Sequence, residues 1–455
     1  MISTFVDREP ELELFEREWA GGGARLIVLY GRRRIGKTRL LLEFIRGREG
    51  VFYIAADSTP KQQIEELKEK MAEYLRDPLL AQLEITDWNQ LFEYFVKNIP
   101  EKRTYLVIDE FSYMIRSDKT ILSTLQRLWD LKFSNTNIFI VLSGSLLGLM
   151  SEKVLSQSSP LYGRRSRDIL LDKLPFSFTA DFSGMNFEDR VKLYMTIGGV
   201  PEYLLKASEY ETFTDFIELE FFRKDGYFYR EPYFIISQEF KELKTYFSIL
   251  NAIAYGSTRP GEIANSVGID AKKIYPYLDN LIRLGFVERT VPIMGSGKAG
   301  IYTIKDHLFD FWFNFVHRHR ERIERGSFIL RNDELSGYLG KRFEIFVKDD
   351  LFKYIPVSKR FDHVGRWWHR DKEIDLVALN ERSREILFIE CKWKDMSPWD
   401  AKRELGKLEE KSEHVLWDSN RKDFGLIAKS IDKKEDLRGS GYRVMDLSDF
   451  RSQIR

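Results

Sequence analysis

Two groups of residues have the types and the spacing to do chemistry. The first is Gly31-Arg32-Arg33-Arg34-Ile35-Gly36-Lys37-Thr38, continued by Arg39. It has the form G-x-x-x-x-G-K-[ST], in which backbone N–H groups and a helix N-terminus cradle phosphates. In that form Lys37 reaches the β- and γ-phosphates and Thr38 holds Mg²⁺. The second group is Glu344, Asp375, Glu390 and Lys392. Its carboxylates offer only oxygen ligands, which suits Mg²⁺ or Mn²⁺ rather than zinc. Lys392 would steady an attacking water or the charge that develops on a phosphate.

The elements around the first group supply further candidates. "ARLIVLYGRRRIGKTRLLLEFI" (24–45) runs from an apolar strand through the loop into a helix with apolar residues at helical spacing. "RTYLVIDEFSYM" (103–114) is an apolar strand delivering Asp109 and Glu110 at its C-terminal end, where parallel α/β sheets bind ligands. Asp109 would hold Mg²⁺ and Glu110 would polarise the attacking water. "NIFIVLSGS" (137–145) is another buried strand, and Ser143 at its end is a candidate γ-phosphate sensor or simply part of a strand-terminating turn.

The second group needs a hairpin. In "EIDLVALNERSREILFIECKWKD" (373–395) a turn over 381–384 pairs Asn380 with Glu385 and sets Asp375 opposite Glu390. Glu390 and Lys392, two apart, share that face. Opposed carboxylates repel and are costly to bury unless a cation compensates. A run over 338–355 with an apolar face brings Glu344 beside that face. The alternative is a structural hairpin in which Lys392 pairs with an acid.

Residues 246–316 read as three short helices followed by a β-hairpin, the pattern of a winged helix-turn-helix. In a DNA-binding version the third helix presents Lys272 and Lys273 and the wing offers Lys298 to phosphates. Packing on a neighbouring domain is an equally open reading. Pro276 should bend the third helix or shift its start. "IKDHLFDFWFNFV" (304–316) reads as a core helix.

A chain of 455 residues is too long for one core and should hold two or more domains. With 43% hydrophobic and 31% charged residues it should fold throughout. Lys plus Arg (72) nearly cancel Asp plus Glu (71), so any nucleic-acid surface must be a local patch. One cysteine, Cys391, excludes an internal disulfide and a cysteine-based zinc site. No stretch has the apolar length of a membrane span, and the expectation is a soluble cytoplasmic protein with no membrane partner.

The phosphate loop, "LVIDE" and "VLSGS", followed by "SPLYGRRSRDILLDKLPF" (159–176) and "TIGGVPEYL" (196–204), resemble the archaeal ATPase family of AAA+/STAND-type P-loop proteins. The resemblance implies ATP and ADP as ligands. It implies that Arg164 lies close to the nucleotide of its own or of a neighbouring subunit, so that an oligomer is compatible with it. It also implies that Gly199-Val200-Pro201 in a helical lid lies near the base, and that Asp7 caps an entry helix. Asp375 and Glu390-Cys391-Lys392, with helical Glu344, resemble the PD-(D/E)XK nuclease superfamily, with Glu373-Ile374-Asp375 in place of a Pro-Asp pair.

The expected architecture is α/β and multidomain: a parallel-sheet P-loop ATPase core (1–180), a helical lid (181–245), a winged helix (246–330) and a restriction-endonuclease-like α/β domain (331–455). The expected function is ATP hydrolysis in association with DNA, with an appended Mg²⁺- or Mn²⁺-dependent nuclease-like domain. The alternative is a STAND-type nucleotide-regulated switch with an inert nuclease fold and a protein-binding winged helix.

Overall fold

The computed structural model describes residues 6–294 and 300–454. The chain divides into two compact units, one comprising residues 1–174 with 200–203 and the other 175–199 with 204–455.

In the first unit, β1 (Arg25–Tyr30), β2 (Gly50–Ile54), β3 (Thr104–Asp109), β4 (Ile138–Gly144) and β5 (Arg167–Leu170) form a sheet in the order β2-β3-β4-β1-β5. Every pairing in it is parallel. The residues of β3 and β4 are all buried. Helices on both faces account for that, since a doubly covered strand reads as a continuous apolar run. Parallel alignment puts all five C-terminal ends along one edge. The register pairs Leu29 with Ser143 and Ile108 with Leu142, which brings the loop after β1, the acids ending β3 and the serines ending β4 to one place.

The entry helix, Glu9–Ala20, is not capped by Asp7: its N-cap is Arg8, in the left-handed region at φ 87°, without a side-chain cap. Arg8 instead buries its guanidinium against the carbonyls of Ile35 (3.3 Å) and Asp172 (2.6 Å). Those bonds bind the N-terminal segment to the phosphate loop.

The second unit contains the helices Leu243–Ala254, Pro260–Val267 and Ile274–Arg283, followed by antiparallel β6 (Val287–Thr290) and β7 (Ile301–Ile304). Pro276 occupies the third position of the helix that begins at Ile274. The first-turn N–H groups have no intrahelical partner, so proline costs nothing there. Lys272 and Lys273 consequently precede the helix rather than riding on it, both exposed in a turn tied down by Asp270, whose side chain accepts from the Lys272 N–H. Lys298 lies outside the described residues. The aromatic segment 304–316 is core: Phe309, Phe311 and Phe313 are fully buried, and the Trp312 indole donates to the Tyr229 carbonyl at 2.9 Å.

A second sheet, in the order β12-β11-β10-β9-β8, completes this unit. Its strands are β8 (His363–His369), β9 (Lys372–Asn380), β10 (Glu385–Met396), β11 (Arg421–Ile431) and β12 (Arg443–Asp446). The first three pair antiparallel and the last three parallel. The helix Pro398–Ser412 covers one face, its Leu408 packing with Val377, Leu379, Ile386 and Phe388. No described helix is long and apolar enough to cross a membrane.

Candidate active sites

The phosphate loop leaves β1 and enters the helix Lys37–Phe44, whose N-cap is Gly36 at φ 96°. A Cβ on Gly31 would stand 2.4 Å from the Leu171 carbonyl oxygen, so only glycine fits where the loop passes β5. Lys37 is buried and its ammonium donates to the carbonyls of Gly31 (2.9 Å) and Arg32 (3.0 Å), holding the loop curled round its own lysine. The Arg33 guanidinium bonds to the Tyr113 hydroxyl and lies over its ring. Arg34, at φ 68°, reaches Glu202 at 3.6 Å and lies over Tyr203. Ile35 is buried beneath the loop and Arg39 faces solvent on the following helix.

The remaining candidates of this site converge on the loop, with one exception. The Thr38 hydroxyl donates to Asp109 Oδ2 at 2.5 Å, and Asp109 is fully buried. Glu110 stands at φ 53°, a left-handed conformation that costs a non-glycine residue about 1–2 kcal/mol, and accepts from the Ser145 hydroxyl at 2.5 Å. Ser143 is fully buried and its hydroxyl has no hydrogen-bond partner among the described residues. Pro201 begins a short helix, and its ring is 4.0 Å from where a Cβ on Gly36 would stand.

Arg164 is the exception. It precedes β5, and the Ser166 N–H next to it bonds to the Leu26 carbonyl near the start of β1. Four strand residues at about 3.3 Å each separate that level from the loop end of β1. The guanidinium is held by a two-pronged pair with Asp130, at 2.7 and 2.8 Å. Within its own chain Arg164 therefore stands at the opposite edge of the sheet from the phosphate loop.

A hydroxyl and a buried carboxylate in direct contact beside a phosphate-binding loop fit Mg²⁺, which takes one or two protein oxygens and completes its shell with water and phosphate. The orphaned Ser143 hydroxyl gives the same site an unspent donor.

In the C-terminal sheet the hairpin register runs from Glu385 opposite Asn380 to Ile389 opposite Leu376, one residue short of Glu390 and Asp375, and Lys392 reaches both of those acids. Both carboxylates are buried, 4% exposed each. Asp375 accepts from the Cys391 N–H at 2.8 Å. Lys392 Nζ lies 2.7 Å from Glu390 Oε1 and 3.8 Å from Asp375 Oδ2. Two residues that no spacing rule singled out complete the cluster. Lys411, from the covering helix, donates to both Glu390 oxygens at 3.1 and 3.2 Å. Arg366, on β8, pairs with Glu344 at 3.1 Å and Glu373 at 3.6 Å.

Burial, reinforced by the Asp375 charge, pushes Glu344 up to about 8. Burial and then Glu390 push Asp375 up to about 6. Burial acts to lower Lys392, but the Asp375 and Glu390 charges outweigh it and the ammonium is raised. For both acids burial and the neighbouring carboxylate outweigh the Arg366 and Lys392 cations. Among the described residues no group of three histidine, cysteine or acidic side chains is found arranged to hold a metal ion.

The loop, the acids at the end of β3 and the parallel sheet define a P-loop ATPase core. Residues 5–207 match the model of an ATPase domain found predominantly in Archaea. Residues 312–404 match a family described as archaeal and bacterial proteins of unknown function. An uncharacterised protein of Methanocaldococcus jannaschii is 35% identical over 98% of this chain and 100% of its own length. An uncharacterised ATP-binding protein of the same organism is 50% identical over 10% of this chain and 81% of its own length. This chain belongs to the archaeal ATPase family. Among solved structures, the Walker-type ATPase of Pyrococcus abyssi is 20% identical, covering 68% of this chain and 96% of that one, with a TM-score of 0.48. The Aeropyrum pernix ORC2 protein, solved as ADPNP–ADP complexes, is 14% identical, covering 71% and 96%, with a TM-score of 0.45.

Proposed function

We propose that this ATPase hydrolyses ATP at the loop of residues 31–38, works in association with DNA and carries a nuclease-like C-terminal domain. The observation that carries the first part is the buried Ser143 hydroxyl, without a partner, beside the Thr38–Asp109 pair. Lys37 would leave the carbonyls of Gly31 and Arg32 for the β- and γ-phosphates. Glu110 would orient water, and Ser143 would bond to the terminal phosphate. Mg²⁺, held through Thr38 and Asp109, would neutralise charge on the transferring phosphate. Arg164, tied to Asp130 at the far edge of the sheet, is available only to a neighbouring copy's nucleotide. Lys37→Ala should lower ATP turnover at least about a hundredfold, an electrostatic contribution of several kcal/mol; full turnover would refute the assignment.

DNA association rests on three helices followed by a hairpin, the order of a winged helix, with Lys272 and Lys273 exposed in the turn before the third helix. The nuclease reading rests on Asp375, Glu390 and Lys392 sharing one face beside Glu344. A second reading, a regulatory switch with an inert nuclease fold, is favoured by the two lysines on Glu390. Plasmid cleavage with Mn²⁺ separates the two. Loss of cleavage in Asp375→Ala and Lys392→Ala supports the nuclease, and cleavage indifferent to both changes excludes it.

A further inference from the structure

The segment 317–325, "HRHRERIER", carries four arginines against two glutamates. Its glutamates are committed: Glu324 accepts from Arg320 and from the Tyr229 hydroxyl, both at 2.9 Å, and Glu321 lies 3.9 Å from Arg325. Arg318 and Arg322 are exposed and make no ion pair with a described residue. Each lies over a ring instead, Arg318 over Tyr255 at 5.7 Å and Arg322 over Phe328 at 5.6 Å.

Aromatic rings continue from that point. The Tyr255 hydroxyl reaches His317 at 3.5 Å, His317 is 5.0 Å from Phe247, and Phe247 is 6.4 Å from Tyr233. Tyr255 and Tyr233 are 48% and 47% exposed, so each offers ring surface to solvent. Burial and the neighbouring Arg320 hold His317 below its usual range, leaving it a neutral ring within the strip. Half-exposed rings with guanidinium groups that make no ion pair with a described residue at one end match a ligand that carries π-faces and negative charge. Unpaired nucleotides have that composition, whereas a duplex hides its base faces and an acidic peptide has none.

We propose that the strip Tyr233–Phe247–His317–Tyr255, flanked by Arg318 and Arg322, binds single-stranded nucleic acid by base stacking and phosphate pairing. This goes beyond the duplex contact assigned to Lys272 and Lys273 and involves different residues.

The test is fluorescence anisotropy of the full-length protein with a labelled oligothymidylate of about 16 nucleotides, the upper range of a stacking site. Tyr255→Ala and Arg318→Ala should each weaken binding about tenfold, while Tyr255→Phe stays close to wild type because the ring, not the hydroxyl, does the stacking. An abasic oligomer of equal length should bind wild type about tenfold more weakly and ignore Tyr255→Ala. Wild-type affinity in both alanine variants overturns the proposal. So does an abasic oligomer or a polyglutamate peptide that binds as tightly as oligothymidylate. Lys272→Ala/Lys273→Ala should weaken duplex binding and leave oligothymidylate binding unchanged, so the two surfaces fail independently. Equal loss of oligothymidylate in that double variant would also overturn the proposal.

Discussion

Ser143 carries a fully buried hydroxyl that bonds to nothing among the described residues. Burying such a group costs about 1–3 kcal/mol, and alanine at the same place avoids that cost. Ser143→Ala should therefore unfold at the same temperature as wild type or higher, yet lose about tenfold or more in ATP turnover if the hydroxyl is kept for the terminal phosphate. Thermal denaturation read beside turnover checks both halves; a fall in stability with unchanged turnover would assign Ser143 to packing. At this scale the sequence was informative where a motif fixes spacing, as for Lys37 and Thr38. It was silent about Lys411, which meets Glu390 from 21 residues further along the chain and on a different element. Arg366 was equally hidden, because a single arginine on a strand has no signature of its own. Asp7 was misread as a cap because a short acid before a helix usually is one. Here the left-handed Arg8 intervenes and takes its bonds from elsewhere.

Strand periodicity made the C-terminal hairpin legible. Side chains repeat every second residue, so fixing the turn fixed which of Asp375, Glu390 and Lys392 share a face. The start of the helix at Ile274 was less legible, since proline is compatible with both a bend and a first turn. For Arg164 the sequence leaves its own nucleotide and a neighbouring subunit's equally open. Sequence order cannot say at which edge of a parallel sheet a residue lies, and only the pairing of β5 with β1 does so. The convergence of elements on Glu344 and Asp375 has a pH consequence. Both acids are raised in the fold, to about 8 and about 6, so the folded state binds more protons than the unfolded chain between the ordinary carboxylate range and those values. The stability they contribute is complete below about pH 4 and is lost as pH rises through 6 and then 8. In chelator, the unfolding free energy should fall across that window by several kcal/mol, and Glu344→Gln should flatten the fall. A midpoint that rises between pH 6 and 8 in the wild type, with the variant following it, would show that these acids are ionised in the fold.

At the scale of the whole chain, four segments were expected and two compact units are found. The expected lid, winged helix and C-terminal domain share one unit because contacts run through all three: Tyr194 packs against Phe346 and His307, and the Ile293 N–H donates to the Arg366 carbonyl. Sequence-local composition does not register such long-range packing. Residues 200–203 belong to the other unit, where Pro201 and Glu202 meet Gly36 and Arg34, and both flanks of this stretch continue directly into the second unit. All of this depends on the loop being a hydrolytic site and not merely a binding one. The most direct test is ATP binding and ATP turnover measured side by side in Glu110→Gln. On the proposed reading Glu110 would orient water while the loop and Lys37 hold the phosphates, so nucleotide affinity should stay within about threefold of wild type and turnover should fall about a hundredfold or more. Turnover at the wild-type rate in that variant would contradict the account.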